Sequence, residues 1–244
     1  MKRLTVLIAL FALIATSGLV YAMGGPSPEK KAETKVEQPK GADKPVVMAE
    51  KIFPIDNFES GSLKAPRDWW VFDVKAEIVS TDLLKAGEKL DVGSKSLALS
   101  GAATSFYVGG LGTYLAKEGQ DLSKYNAIQV DIYGSGTDSG SLKLELYDDD
   151  NGNWQIEQDK TRNFAPLYDD KWGYEVKIDW AGWKRVTIPM ENFVDENPSV
   201  GDDIWNPQQN NNSGGSLQLQ LISIATKSKG KVAFDLDNIA LLTE

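Results

Sequence analysis

Aliphatic and polar residues alternate strictly at four places along the chain. In Ile128-Gln129-Val130-Asp131-Ile132-Tyr133 the aliphatics point one way and Gln129, Asp131 and Tyr133 the other. That period of two is the mark of a strand with one buried face. Leu142-Lys143-Leu144-Glu145-Leu146-Tyr147, Leu217-Gln218-Leu219-Gln220-Leu221 and Val232-Ala233-Phe234-Asp235-Leu236-Asp237 repeat the pattern. Further strands are predicted over residues 52–58, 70–80, 96–100, 104–108, 154–158, 174–178 and 183–188. Asp150-Asn151-Gly152 supplies the positive φ of a tight hairpin, whereas Gly134-Ser135-Gly136 and residues 206–215 are looser loops. The one short helical candidate is 113–117, soon stopped by Gly119. Ten or eleven short strands with little helix predict an all-β, two-sheet antiparallel β-sandwich, most simply a jelly roll. One aliphatic face of each strand then fills the space between the sheets. The other face meets solvent or a ligand.

Three segments differ in character. Lys2 and Arg3 precede an apolar run from Leu4 to Val20 that ends in Val20-Tyr21-Ala22, the layout of a signal peptide over residues 1–22 cleaved after Ala22. The alternative is an uncleaved membrane anchor, since the run is nearly long enough to span a bilayer. Residues 23–51 hold four prolines and mixed charges but no aromatic, and read as a disordered linker. Residues 52–244 carry all seven Trp, and seven each of the eight Tyr and eight Phe. They form the expected folded domain. The expected localisation is secreted or periplasmic.

Without residues 1–22, 24 basic residues face 35 acidic ones. Such a surface repels nucleic-acid phosphates and anionic lipid heads and suits a neutral ligand or a cation. After cleavage no membrane insertion is expected. Cys and His are both absent. No disulfide is available, and the Ser-His-Asp and Cys-His arrangements and all His-ligated zinc sites are excluded.

Several segments resemble one family. Ile55-Asp56-Asn57-Phe58-Glu59-Ser60-Gly61 resembles the opening "FE-x-G" strand of jelly-roll carbohydrate-binding modules, and Phe106 to Gly112 and Asp121 to Tyr125 resemble the segments that follow. Gly182-Trp183-Lys184-Arg185-Val186-Thr187-Ile188-Pro189, with Phe193, is similar to their "GWK-x-V-x-IP…F" strand, and Phe234 to Ile239 to their closing "iDnI". The pattern is most similar to the family-eleven carbohydrate-binding modules and to the domain of complex I intermediate-associated proteins, both with a galactose-binding-like fold. The resemblance implies a sandwich that binds a polysaccharide such as a β-glucan, or one that contacts an envelope protein partner. It also implies a structural calcium between the opening-strand and closing-strand acids, which correspond here to Glu59 and Asp237, with Asp56 nearby. The alternative for these acids is plain solvation on edge strands. Asp148-Asp149-Asp150-Asn151-Gly152 is also acidic, but Asp159 stands where an EF-hand loop needs Glu, and a hydrated hairpin tip is expected.

A pyranose offers C–H groups on its faces and hydroxyls on its rim, so Trp or Tyr covers a face while amides, carboxylates and Arg bond the rim. Alternation puts Tyr133, Asp131 and Gln129 on one polar strand face, and Tyr147, Glu145 and Lys143 on another. Gln218 and Gln220 come from a third strand, and Trp183, Arg185 and Thr187 from a fourth. If these strands share one sheet, their side chains make a concave platform for several sugar units, and this is the arrangement expected. Tyr133 and Tyr147 inside the hydrophobic interior, or on opposite sheets, would remove it. Trp183 is alternatively a packing residue. Of Trp69 and Trp70, one is expected in the core and the other at the sheet rim. Trp154, Trp172 and Trp180 are either a lid over the groove or a cluster beneath the 168–179 loop. A glycoside hydrolase would need two carboxylates facing each other across roughly 5 to 9 Å, for which Asp131 and Glu145 are the candidates. No nucleophile elbow or phosphate-binding motif is present. A non-catalytic role is expected.

Overall fold

The computed structural model describes residues 51–81, 90–210 and 212–244. The expected leader, and all but the last residue of the expected linker, lie outside the described residues. Among the described residues fourteen strands follow in order: β1 (Ile52–Asp56), β2 (Trp70–Phe72), β3 (Lys75–Ser80), β4 (Lys95–Ala102), β5 (Tyr107–Tyr114), β6 (Ala127–Ser135), β7 (Gly140–Asp149), β8 (Gln158–Asp159), β9 (Ala165–Pro166), β10 (Asp170–Ile178), β11 (Ala181–Pro189), β12 (Val194–Asp195), β13 (Gly215–Ile224) and β14 (Lys231–Leu242). A first sheet runs β11-β6-β14-β4-β3, with β1 on the second half of β14. A second runs β12-β10-β7-β13-β5-β2, and β8 and β9 form a small separate ribbon. The expected all-β, two-sheet antiparallel sandwich is present.

The four alternating segments became β6, β7, β13 and β14, and their aliphatic faces make the core. Val130, Ile132, Phe234 and Leu236 come from the first sheet, and Leu142, Leu144, Leu146, Leu219 and Leu221 from the second. Every one is almost wholly buried, which is the main stabilisation available to a domain without disulfides.

Three local expectations fail. Residues 70–80 are not one strand: Asp73, at φ 57°, turns the chain so that β2 joins the second sheet and β3 the first. Thr113 and Tyr114 end strand β5 instead of opening a helix, and the Leu115 amide continues the ladder to the Leu217 carbonyl at 2.7 Å. Most of 154–158 is bent chain, because Trp154 sits at φ 64° and the Asp149 carboxylate takes the amides of Gly152 and Trp154. Local side-chain bonds of this kind compete with ladder bonds.

Candidate functional site: an aromatic and amide face on the second sheet

The sheet order divides the expected platform. Tyr133 and Asp131 on β6, with Trp183 and Arg185 on β11, lie on the outer face of the first sheet. Tyr147 and Glu145 on β7, with Gln218 and Gln220 on β13, lie on the outer face of the second. The single platform is therefore corrected to two faces on opposite sides of the sandwich. The reason is connectivity: β6 and β7 are consecutive in the chain, yet the turn between them passes from one sheet to the other. Period-two alternation reports which side of a strand is apolar and is the same in either sheet.

On the second sheet the registers align side chains into rows. Lys171, Tyr147, Gln218 and Tyr114 stand opposite one another across β10, β7, β13 and β5. The next row is Gly173, Glu145, Gln220, Gly112 and Trp70, and the third is Glu175, Lys143, Ile222, Gly110 and Phe72. Five strands at their usual spacing give a face about 19 Å wide.

Two glycines on β5 shape one end. A Cβ at Gly112 would lie 2.4 Å from Trp70 Cζ2, and one at Gly110 would lie 3.0 Å from Phe72 Cζ. The bare strand thus lets both rings of β2 lie over it. Trp70 also packs on Tyr114, with ring centroids 5.5 Å apart. Tyr114 and Tyr107 are about half exposed, at 47% and 46%, whereas Gln218 and Gln220 are only 4% and 9% exposed. The amides thus form a recessed floor beside a raised aromatic rim. Among the described residues nothing hydrogen-bonds the side-chain amides of Gln218 and Gln220. Trp69 is in the core and Trp70 at this rim. Trp70, Phe72, Tyr107 and Tyr114 are the site residues that sequence reasoning missed. The signal for two of them was the Gly110-Leu111-Gly112 spacing, which leaves one face of a strand bare.

The other end is charged. Lys143 reaches Glu145 at 3.0 Å and Glu196 at 2.7 Å, and Lys171 reaches the same pair at 3.5 and 3.1 Å. Glu196 lies across the bare face of Gly173, where a Cβ would come within 2.3 Å of its carboxylate. The Tyr147 hydroxyl donates to Glu145 at 2.9 Å. Burial opposes ionisation of Glu145, but Lys171, Lys143 and Tyr147 together hold its carboxyl below the ordinary range. It is therefore an acceptor and not a proton donor. The Tyr107 phenol is pushed up to about 12 by burial and by Asp73 and Glu145, so it stays protonated.

On the opposite face Asp131, wholly buried, is held by Arg185 through two bonds of 2.7 Å and by the Asn238 amide at 2.9 Å. Trp183 packs edge-on against Tyr133, 5.6 Å apart. The candidate carboxylate pair for the hydrolase alternative, Asp131 and Glu145, thus lies on opposite sheets and cannot face each other across one groove. Trp172 and Trp180 pack against the core, so the three loop tryptophans form no common lid. A cavity of about 840 Å³ opens elsewhere, beside β1 and β14, lined by Pro54, Arg67, Gln129 and Asn238 among others. None of its lining residues is aromatic.

The closing strands do bring Glu59 near Asp237, whose carboxyl feels both Glu59 and Asp56. However, Glu59 already accepts from Ser94 N, Ser94 Oγ and Lys95 N at 2.6 to 2.7 Å, and Asp56 from Phe58 N and Trp69 Nε1. Lys95 Nζ sits beside the Glu59 carbonyl and Arg185 covers Asp131. Protein donors thus already occupy Glu59 and Asp56, the opening-segment part of the calcium site that the resemblance implies, whereas Asp237 accepts from the neighbouring Asn238 amide at 2.7 Å and has no ion pair among the described residues. Among the described residues one group of three acids could hold a metal ion: Asp148, Asp150 and Asp170, within 4.8 Å of one another.

Burial, then Asp131, Glu59 and Asp56, push the Asp237 carboxyl up to about 8, from an ordinary 3.8. Between those values the folded protein holds a proton that the unfolded chain has released. This contribution is present below pH ~4 and is lost as pH rises through ~8. Asp237→Asn should therefore match or exceed wild type, by a margin that opens above pH ~4 and levels off above ~8. Denaturant melts at several pH values check it, and a constant margin would contradict it.

Fold and site together define a two-sheet β-sandwich with an aromatic and amide groove on one sheet. No family model matches the chain, and no curated protein matches it. Among solved structures it is similar to the family 11 carbohydrate-binding module of the cellulosomal cellulase Lic26A-Cel5E of Clostridium thermocellum, at 19% identity and a TM-score of 0.48, over 79% of this chain and 95% of that one. A family 11 module from Clostridium thermocellum in complex with a β-1,3-1,4-mixed-linked tetrasaccharide is similar at 19% identity and a TM-score of 0.49, over 78% and 95%. The CBM22-2 xylan-binding domain from Paenibacillus barcinonensis Xyn10C is similar at 13% identity and a TM-score of 0.38, over 79% and 99%.

Proposed function

We propose that this protein is an exported, non-catalytic carbohydrate-binding protein that holds a polysaccharide, a β-glucan in the first instance, across the outer face of its second sheet. The observation that carries the reading is the alignment of Gln218 and Gln220 between the Trp70–Tyr114 pair and the Glu145–Lys143–Lys171 group. A sugar ring rests its C–H face on the indole and phenol while its hydroxyls exchange bonds with amides and ions of both signs. The cavity beside β1 and β14 has donors but no ring to stack on. The acidic net charge of −9 disfavours polyanions as ligands, which agrees with a neutral glycan. Export is supported by the charged start and apolar run of residues 1–22.

The test is native gel electrophoresis of the purified protein through soluble polysaccharides. Retardation is expected in at least one β-glucan, and Gln220→Ala is expected to reduce it several-fold. Uniform migration through β-glucans, xylans and mannans would shift the reading to a protein-contacting domain of the same fold.

A further inference from the structure

One end of the second sheet gathers buried acids that have no countercharge. Asp148, next to last in β7, stands directly opposite Asp170, which begins β10. Both are 0% exposed, as are the neighbouring Asp149 and Asp169. Among the described residues no lysine or arginine forms an ion pair with Asp148, Asp150 or Asp170; ten ion pairs occur, all elsewhere. Their partners are neutral donors. Trp172 Nε1 and Asn206 N donate to Asp148 at 3.1 and 2.9 Å, Asp170 N donates to Asp150 at 3.1 Å, and Ile204 N donates to Asp170 Oδ2 at 3.1 Å. Hydrogen bonds alone leave these carboxylates crowded together with little water, an arrangement that is unfavourable unless a cation or protons neutralise it.

A second observation points to a ligand. Asp170 Oδ1 is fully buried and has no hydrogen-bond partner. It converges with Asp150 Oδ2 on the bare side of Gly201, where a Cβ would fall 2.2 Å from the first oxygen and 2.4 Å from the second. Gly201 stands at φ +79° and keeps that space free of a side chain.

We infer that Asp148, Asp150 and Asp170 bind one hard divalent cation, calcium, which ties the end of β7 to the start of β10 and to the loop from Gly201 to Asn206. Three carboxylates offer only oxygen, which favours calcium or magnesium over softer metals. Calcium accepts irregular sets of six to eight oxygens, whereas magnesium demands a near-octahedral one. Three acids beside a loop, with water completing the set, suit the former.

The indole of Trp172, hydrogen-bonded to Asp148, gives a direct probe. Terbium added to the chelator-treated protein should emit when tryptophan is excited, and calcium should compete it away. Asp170→Asn should weaken calcium binding at least tenfold and abolish the calcium-dependent rise in melting temperature. In chelator the same variant, one charge poorer, should melt no lower than wild type. Asp150→Asn, at a half-buried position, should repeat the loss of affinity if Asp170→Asn does not fold. Asp237→Asn should leave calcium affinity unchanged. The inference is overturned if neither terbium emission nor a calcium-dependent melt is seen. It is also overturned if both Asp150→Asn and a folded Asp170→Asn bind calcium like wild type.

Discussion

Replacing Trp70 with alanine is expected to weaken polysaccharide binding by at least tenfold. The indole lies over Gly112 on the rim of the groove and packs on Tyr114 at 5.5 Å. A large ring that stacks on a ligand contributes its buried area and, in the favourable geometry, about 0.5–1.5 kcal/mol more. A total of about 1.5–2.5 kcal/mol corresponds to roughly 10- to 70-fold in dissociation constant. Trp70 is on a three-residue edge strand, so its loss should perturb the core far less than loss of the adjacent, buried Trp69. Tyr114→Ala should give a smaller loss in the same direction, because it removes half of the stacked pair. Tyr133→Ala and Trp183→Ala are the contrast. Those residues form their own aromatic pair on the opposite sheet, and their removal should leave binding unchanged. Titration calorimetry on the four variants, each checked for an intact melt, separates the two faces. Equal losses on both would contradict the assignment of the groove to the second sheet.

Arg185→Ala should destabilise the domain by about 2–3 kcal/mol while leaving glycan binding intact. Its guanidinium holds the wholly buried Asp131 carboxylate through two bonds of 2.7 Å. Breaking such a pair typically costs about 3–5 kcal/mol, because the surviving charge is buried and unpaired. The loss falls below that range because the Arg185 side chain is 41% exposed, which screens the pair, and because Asn238 still bonds Asp131. For a domain of this size the loss corresponds to a fall of about 4–12 °C in melting temperature. Arg185→Lys should recover only part of it, since an ammonium cannot form the two parallel bonds. An unchanged melt would mean that water reaches Asp131 in the variant.

Much of the architecture was legible in advance. The runs around Val130, Leu144, Leu219 and Phe234 alternate so cleanly that only strands could bury their aliphatic faces, and all four do. The hairpin residues at Asp150 to Gly152 do turn the chain, but the acids beside them are buried where a hydrated tip was expected. The reason lies outside that segment: Asp170 and the amides of Ile204 and Asn206 arrive from distant parts of the chain and close over them. Trp70 and Tyr114, likewise 44 positions apart, meet only through the β2–β5 pairing.

Period, composition and turn chemistry by themselves determined that this chain is a strand-rich sandwich without thiol or imidazole chemistry, because each of those properties is local or additive along the sequence. Which polar faces lie side by side was decided only by the tertiary structure. Tyr133 and Tyr147 have the same local pattern, but the turn between β6 and β7 crosses from one sheet to the other. Side-chain alternation carries no record of the sheet a strand will join.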